Sequence, residues 1–401
     1  MNAPALGRRG KLAPASPIRR LAPYAVAAKA RGITVHHLNI GQPDIPTPPA
    51  MIEAYQRFDD EVLAYAPSDG FADYREKLAH YYRGVVGDQP PVEPDDIMVT
   101  AGGSEALLFT IAAICDPEDE ILVVEPFYTN YAGFSHLLSV RVKAVTTRAE
   151  DDFKLDPAVV ADAVGPKTKA LVLPNPGNPT GTVIRRPDLE RLAAVCREHG
   201  LFFVCDEVYR EFVYTGEELA PSALSLPNFD AHAVVIDSVS KRYSACGARI
   251  GNLVTRNKEL RGAALRFGQA RLSPPTVDQY AAMAALDTPA SYFGEVRAEY
   301  QRRRDVVVAG LRRLGIQCAT PEGAFYLVAP LPVDDAMAFC TFLLEDFDHD
   351  GETVMMAPAA GFYVTPGLGD DEVRIAYVLE ADKLKRCITI LEAALAAYAK
   401  R

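Results

Sequence analysis

A lysine with unusual neighbours stands out first. Lys241 follows the apolar run Val234–Asp237 and sits among Ser238, Ser240, Ser244, Ala245, Cys246 and Gly247, with Arg249 eight positions further on. A lysine just past a buried strand, hemmed by small residues, is placed to have its pKa lowered and to act as a nucleophile. Ser238, Ser240 and Arg249 offer two hydroxyls and a guanidinium, a set that suits a phosphate. A surface lysine with a surface ion-pairing arginine is the plainer alternative, but the spacing of the whole segment speaks against it.

Asp206 ends a comparably apolar run, Leu201–Cys205, and leads into Glu207-Val208-Tyr209. A carboxylate there is poorly solvated unless it meets a cation, and a protonated pyridine nitrogen is such a cation. Aspartate is equally suited to cap a helix. A further run, Ile97–Thr100, opens into Ala101-Gly102-Gly103-Ser104-Glu105-Ala106. Its glycines allow a tight turn, and a helix starting there would aim free N–H groups at an anion. Alone, such a joint is as often a simple turn.

These residues need elements to hold them. Ile97–Thr100, Ile121–Val124, Ala170–Leu173, Leu201–Cys205 and Val234–Asp237 read as strands buried on both faces of a mostly parallel sheet. Pro187–His199, stopped by Gly200, is the clearest helix between them. The alternation predicts an α/β layer fold, with Gly103, Asp206 and Lys241 beyond strand ends, where open sheets bind ligands. After residue 290 the pattern changes to a long charged helix, Ser291–Arg313, a strand at Ala324–Val328 and a helix near Asp334–Phe347. A strand at Val373–Val378 and a helix over Ala381–Tyr398 complete it. The expected division is an N-terminal arm (1–15), a small α+β domain (16–45 and 291–401) and a large domain (46–290), with the Pro-rich stretch Gly41–Pro49 crossing between them.

Bulk properties narrow the function. At 401 residues the chain is long enough for two domains. A net charge of −11, from 42 basic and 53 acidic residues, gives no pull toward nucleic acid or anionic membrane. No apolar run approaches the roughly 18 residues of a membrane span. Cysteines at 115, 196, 205, 246, 318, 340 and 387 form no C-x-x-C pair. They read as buried thiols in a reducing, cytoplasmic setting rather than disulfides or zinc ligands. The histidines are scattered apart from His36–His37, so no metal site is expected. Before the first acidic residue, Asp44, come Arg8, Arg9, Lys11, Arg19, Arg20, Lys29 and Arg31. An acid-poor start of this kind can be a transit peptide, but its low serine content favours a partly ordered arm.

The segment from Ser238 to Gly251 resembles the lysine signature of class I aminotransferases, which belong to the fold-type I pyridoxal 5′-phosphate (PLP) enzymes. Leu38-Asn39-Ile40-Gly41-Gln42-Pro43-Asp44, Pro174–Gly181 (PNPGNPTG) and Pro321-Glu322-Gly323-Ala324-Phe325-Tyr326 resemble the same family in the same order. The similarity extends from about Ser16 to the C-terminus. Within the family the sequence is most similar to bacterial aspartate aminotransferases. The resemblance implies a large domain with a mostly parallel seven-stranded sheet between helices, plus a smaller α+β domain. It also implies PLP-dependent transfer of an amino group from an L-amino acid, aspartate or glutamate, to a 2-oxo acid.

Residue roles follow from the same resemblance. Lys241 would carry the cofactor as a Schiff base and move a proton between the substrate α-carbon and the cofactor C4′. Asp206 would pair with the pyridinium nitrogen, while Tyr209 and Asn178 would hydrogen-bond the phenolic oxygen. Backbone amides near Gly103 and Ser104, with Ser238, Ser240 and Arg249, would hold the phosphate. Tyr128, in Glu125-Pro126-Phe127-Tyr128, matches the aromatic that stacks on the ring. Tyr65 matches a residue that reaches the phosphate of the neighbouring subunit, which implies a homodimer with shared active sites. Arg374 would clamp the substrate α-carboxylate, with Gly41 and Asn178 beside the same substrate.

Reading a side-chain carboxylate needs a second cation. In one bacterial branch of the family a lysine follows the glycines of the phosphate loop, where this chain has Ser104. Arg271, shortly before Pro274-Pro275, is the expected replacement, because an arginine so placed reads the distal carboxylate across the dimer in another branch. An ordinary helix-terminal arginine is the alternative. An aromatic or broad-range aminotransferase and a C–S β-lyase share the cofactor shell and stay open. A transcriptional regulator on this fold would need a DNA-binding segment that about 15 residues before the similarity cannot hold. No G-x-G-x-x-G follows the early strand, as a nicotinamide enzyme requires.

Overall fold

The computed structural model describes residues 4–216 and 219–401. Strand β1 (Thr34–His37) lies near the N-terminus. The central sheet is made from β2 (Ile97–Thr100), β3 (Glu120–Glu125), β4 (Arg141–Thr146), β5 (Thr168–Pro174), β6 (Phe202–Asp206), β7 (Ala233–Ser238) and β8 (Gly251–Val254). The remaining strands are β9 (Tyr326–Pro330), β10 (Glu352–Met355), β11 (Ala357–Pro358) and β12 (Glu372–Ala376).

The large sheet runs β2-β8-β7-β6-β5-β3-β4. Strand β8 is antiparallel to both neighbours, and every other pair is parallel. Alternate residues serve opposite faces, as the pleat requires. Ile97, Leu122, Leu171, Phe203 and Val235 join one apolar layer with the helices Ala72–Val86 and Arg186–Glu198. Met98, Val123, Val172, Val204 and Ile236 join another with the helix Gly103–Ile114. The sheet is thus covered on both sides, so its central strands are continuously apolar.

A third core draws on residues 21–38 and 296–394, around β9 and β12 and the helices Ala290–Arg313, Ala336–Glu345 and Ala381–Tyr398, and takes in Tyr209, Phe212 and Tyr214 from the segment after β6. Strand β9 begins two residues later than the sequence predicts, because Ala324 takes a left-handed φ of 53° and breaks the extended run. Strands β10 and β1 pair in parallel, which ties the N-terminal segment to this part of the molecule. Among the described residues no helix is long and apolar enough to cross a membrane. All seven cysteines are free thiols, and only Cys115 and Cys246 escape full burial.

Candidate active site

Strands β2, β6 and β7 deliver their C-terminal residues to one cavity of about 580 Å³, roofed by the segments around Ile18 and Gly41 and by Tyr326 and Arg374. Gly41, Gly103, Ser104, Tyr128, Asn178, Asp206, Tyr209, Ser238, Ser240, Lys241, Arg249 and Arg374 all line it. Tyr65 and Arg271 are the two expected residues that do not.

Asp206, the last residue of β6, lines the cavity where that strand ends. The chain turns after it without starting a helix, so its carboxylate is not spent as a cap. Tyr131 donates to Oδ2 at 3.1 Å and the Val208 amide approaches Oδ1 at 3.4 Å. Burial pushes this carboxyl up to about 6, against the pull of those two donors. A cation at this end would restore its charge.

The helix Gly103–Ile114 starts immediately after Gly102, whose φ is +81°. A Cβ on Gly102 would stand 2.4 Å from Nη2 of Arg249, so glycine lets the guanidinium cross the helix start. Arg249 also approaches the Ser240 hydroxyl at 3.4 Å, and Ser238 donates to Ser240 at 2.8 Å. Free helix N–H groups, hydroxyls and a guanidinium form a set that binds a phosphate.

Lys241 lines the same cavity. Its ammonium donates to the Gly41 carbonyl at 2.7 Å and lies 3.5 Å from the Cys246 sulfur. Tyr209 is buried, with its hydroxyl 2.9 Å from that of Tyr326. Arg374, on β12, is 1% exposed and pairs with no carboxylate among the described residues. It donates to Asn178 Oδ1 at 3.1 Å and to the Asn39 carbonyl at 2.6 Å, and its buried Nε has no partner. Its ring neighbours are Tyr326 and Phe362. Burial lowers its pKa, with Tyr326 pulling the other way. A guanidinium so placed is a receptor for an anionic ligand.

Behind the cavity, the charged residues next in sequence to the lining ones turn inward. Glu207, Arg210, Glu211, Asp237 and Arg242 form a buried ionic cluster. Arg242 donates to Asp237 at 2.7 and 2.9 Å and to Glu211 at 2.6 Å, while Tyr82 donates to Asp237 at 2.7 Å. Burial pushes Asp237 up, but Arg242 and Arg210 together hold it below the ordinary carboxylate range.

Arg271 lies outside the lining of its own chain's cavity. Its guanidinium turns inward to the carbonyls of Ser68 (3.1 Å) and Val99 (3.5 Å) and lies 3.5 Å from Glu105. Tyr65 is 79% exposed, on a segment that also exposes Val62 and Leu63. Sequence reasoning gave no role to Tyr131, Asn39 or the Tyr326 hydroxyl. Asn39 and Tyr326 lay inside motifs that had been singled out; nothing marked Tyr131 as more than a core aromatic.

Comparison with known proteins agrees with this geometry. The aminotransferase class I and II family matches residues 33–391. The chain belongs to that family. It is 32% identical to the aspartate/prephenate aminotransferase of Thermus thermophilus, over 92% of this chain and 94% of that protein. It is 31% identical to aromatic-amino-acid aminotransferase 2 of Thermococcus litoralis, over 98% of each. Among solved structures, the Thermus thermophilus aspartate aminotransferase with maleate superposes with a TM-score of 0.88 at 30% identity, covering 98% of this chain and 100% of that one. The alanine aminotransferase of Pyrococcus furiosus gives the same TM-score at 28% identity, covering 98% and 100%. The relatives' names share transamination and differ in substrate.

Proposed function

We propose that this aminotransferase uses PLP and takes aspartate or glutamate as amino donor, with a 2-oxo acid as acceptor. The observation that carries the reading is the set of groups brought to one cavity: buried Asp206, the Lys241 amine, the Gly103–Arg249 anion cradle and Arg374. The donor set fits PLP, whose ring nitrogen, aldehyde and phosphate need a carboxylate, an amine and an anion site.

When bound, PLP supplies an electron-withdrawing ring that weakens bonds at the substrate α-carbon. Asp206 holds a proton at the ring nitrogen. Lys241 holds the cofactor and then moves the proton at the α-carbon. Arg374, whose Nε has no partner, would hold the α-carboxylate, and Asn178, whose carbonyl serves Arg374, would offer its amide to the cofactor's phenolic oxygen together with Tyr209. Tyr128 would stack on the ring. Tyr65 reaches the partner subunit's phosphate site in a homodimer, a reading supported by its exposure together with Val62 and Leu63. Residues 16–45 and 291–401 move as a small domain over 46–290, a reading supported by the apolar core they largely build, which Tyr209, Phe212 and Tyr214 join.

The test is a half-reaction. Cofactor-loaded enzyme mixed with L-aspartate alone should lose its near-visible absorbance and release free oxaloacetate. A spectrum that aspartate leaves unchanged but an aromatic amino acid alters would favour the aromatic reading, which the Thermococcus relative's name suggests. Release of ammonia and pyruvate from a single amino acid would identify a lyase.

A further inference from the structure

Four cations line the cavity: Arg19, Lys241, Arg249 and Arg374. Three have uses in the reading above. Arg19 has none. Its guanidinium makes no hydrogen bond or ion pair with any described residue, whereas Arg271 is held inside its own chain. Ser104 leaves the phosphate loop without a lysine. A dicarboxylic substrate brings one negative charge more than Arg374 can neutralise.

The segment bearing Arg19 is held in place. Ser16 accepts from the Arg19 and Arg20 amides at 3.1 and 2.9 Å, forming a tight turn. Asn39 donates to the Ile18 carbonyl at 2.8 Å, and the Asn39 carbonyl in turn accepts from Arg374 at 2.6 Å. Pro17 lies against Gly361, where an added Cβ would be 2.8 Å from the proline ring. Leu21 is buried in the core around β9 and β12. A short chain of bonds thus sets Arg19 relative to Arg374. Both guanidinium charges bear on one phenol, Tyr128, which burial pushes up to about 12 while Arg374 and Arg19 pull it down.

We propose that Arg19 is the second carboxylate-binding group: it pairs with the side-chain carboxylate of the acidic donor, and with the distal carboxylate of a dicarboxylic acceptor, while Arg374 holds the α-carboxylate. Its planar fork suits a carboxylate. This rests on the acidic-substrate reading above.

The experiment compares half-reactions with L-aspartate and L-alanine in the cofactor-loaded wild type and in Arg19→Leu, Arg19→Lys and Arg271→Leu. Arg19→Leu should lower the aspartate-to-alanine ratio of kcat/KM by about 10- to 100-fold, the weight of one charge-assisted pair, and Arg19→Lys should recover part of it. Succinate binding, followed spectroscopically, should weaken by a similar factor, and propionate binding by much less. Equal losses for aspartate and alanine would overturn the inference, leaving Arg19 a structural residue. So would a fall in the ratio with Arg271→Leu and not Arg19→Leu. A wild type that converts alanine but no acidic amino acid would instead remove the acidic-substrate reading, and this inference with it.

Discussion

Lys241 and Gly41, 200 positions apart in the chain, meet at 2.7 Å through the lysine ammonium and the glycine carbonyl. The contact joins the turn after β7 to the segment after β1, and glycine makes it fit. A Cβ on Gly41 would stand 1.7 Å from the Tyr326 hydroxyl, which is itself bonded to Tyr209. Gly41→Ala must therefore push Tyr326 away from Tyr209. We expect kcat/KM to fall about 10- to 100-fold for every amino donor, with the cofactor still visible in the spectrum. Undiminished kinetics would show that the backbone yields at no cost.

Arg374→Lys tests the α-carboxylate clamp. A lysine keeps the charge but cannot present two parallel N–H groups or bridge Asn178 and the Asn39 carbonyl in one plane. KM for aspartate and alanine should rise together, with kcat/KM down about 10- to 100-fold for each. A loss confined to aspartate would move the side-chain carboxylate, rather than the α-carboxylate, onto Arg374.

Asp206 gives a pH signature. Its pKa of about 6 in the folded, cofactor-free chain stands above the ordinary 3.8, raised chiefly by burial. Between those values the folded chain holds a proton that the unfolded chain has released, so stability falls as pH rises through that window. Asp206→Asn removes the group and should flatten the decline, a difference of at most about 3 kcal/mol at neutral pH. Denaturation of both cofactor-free proteins from about pH 4 to 7 measures it. Parallel profiles would place the titration elsewhere.

Burial decided which parts of the fold were legible beforehand. Five of the sheet strands are uninterrupted apolar runs, and Ala381–Tyr398 shows its inward stripe so plainly that its bounds agree with the structure. Strand β4 was missed because it is the sheet edge, where Arg141 and Lys143 alternate with apolar residues. Strand β8 was missed because Gly251 and Asn252 dilute it; its burial comes from both neighbours, not its own composition. In the site, Lys241, Asp206 and Arg249 carried their signal in local spacing. Arg19 carried none, since tertiary contacts such as those of Asn39 and Gly361 with its segment bring it to the cavity.

The cluster behind the site makes the last prediction. Arg242 follows Lys241 directly, is 2% exposed, and neutralises Asp237 and Glu211 where water cannot. Arg242→Met keeps the volume and removes the charge, leaving Asp237 to Arg210 and Tyr82, and Glu211 to the Tyr81 hydroxyl. Removing one partner from a buried ionic group costs about 3–5 kcal/mol, because the other charge stays behind without water. Adding Asp237→Asn lowers the stranded charge, so the double variant should recover part of the loss even though it has fewer ionic contacts. Denaturant melts of the two variants at neutral pH decide the matter. If the double variant is no more stable than Arg242→Met alone, the stranded charge costs nothing and the charge argument fails.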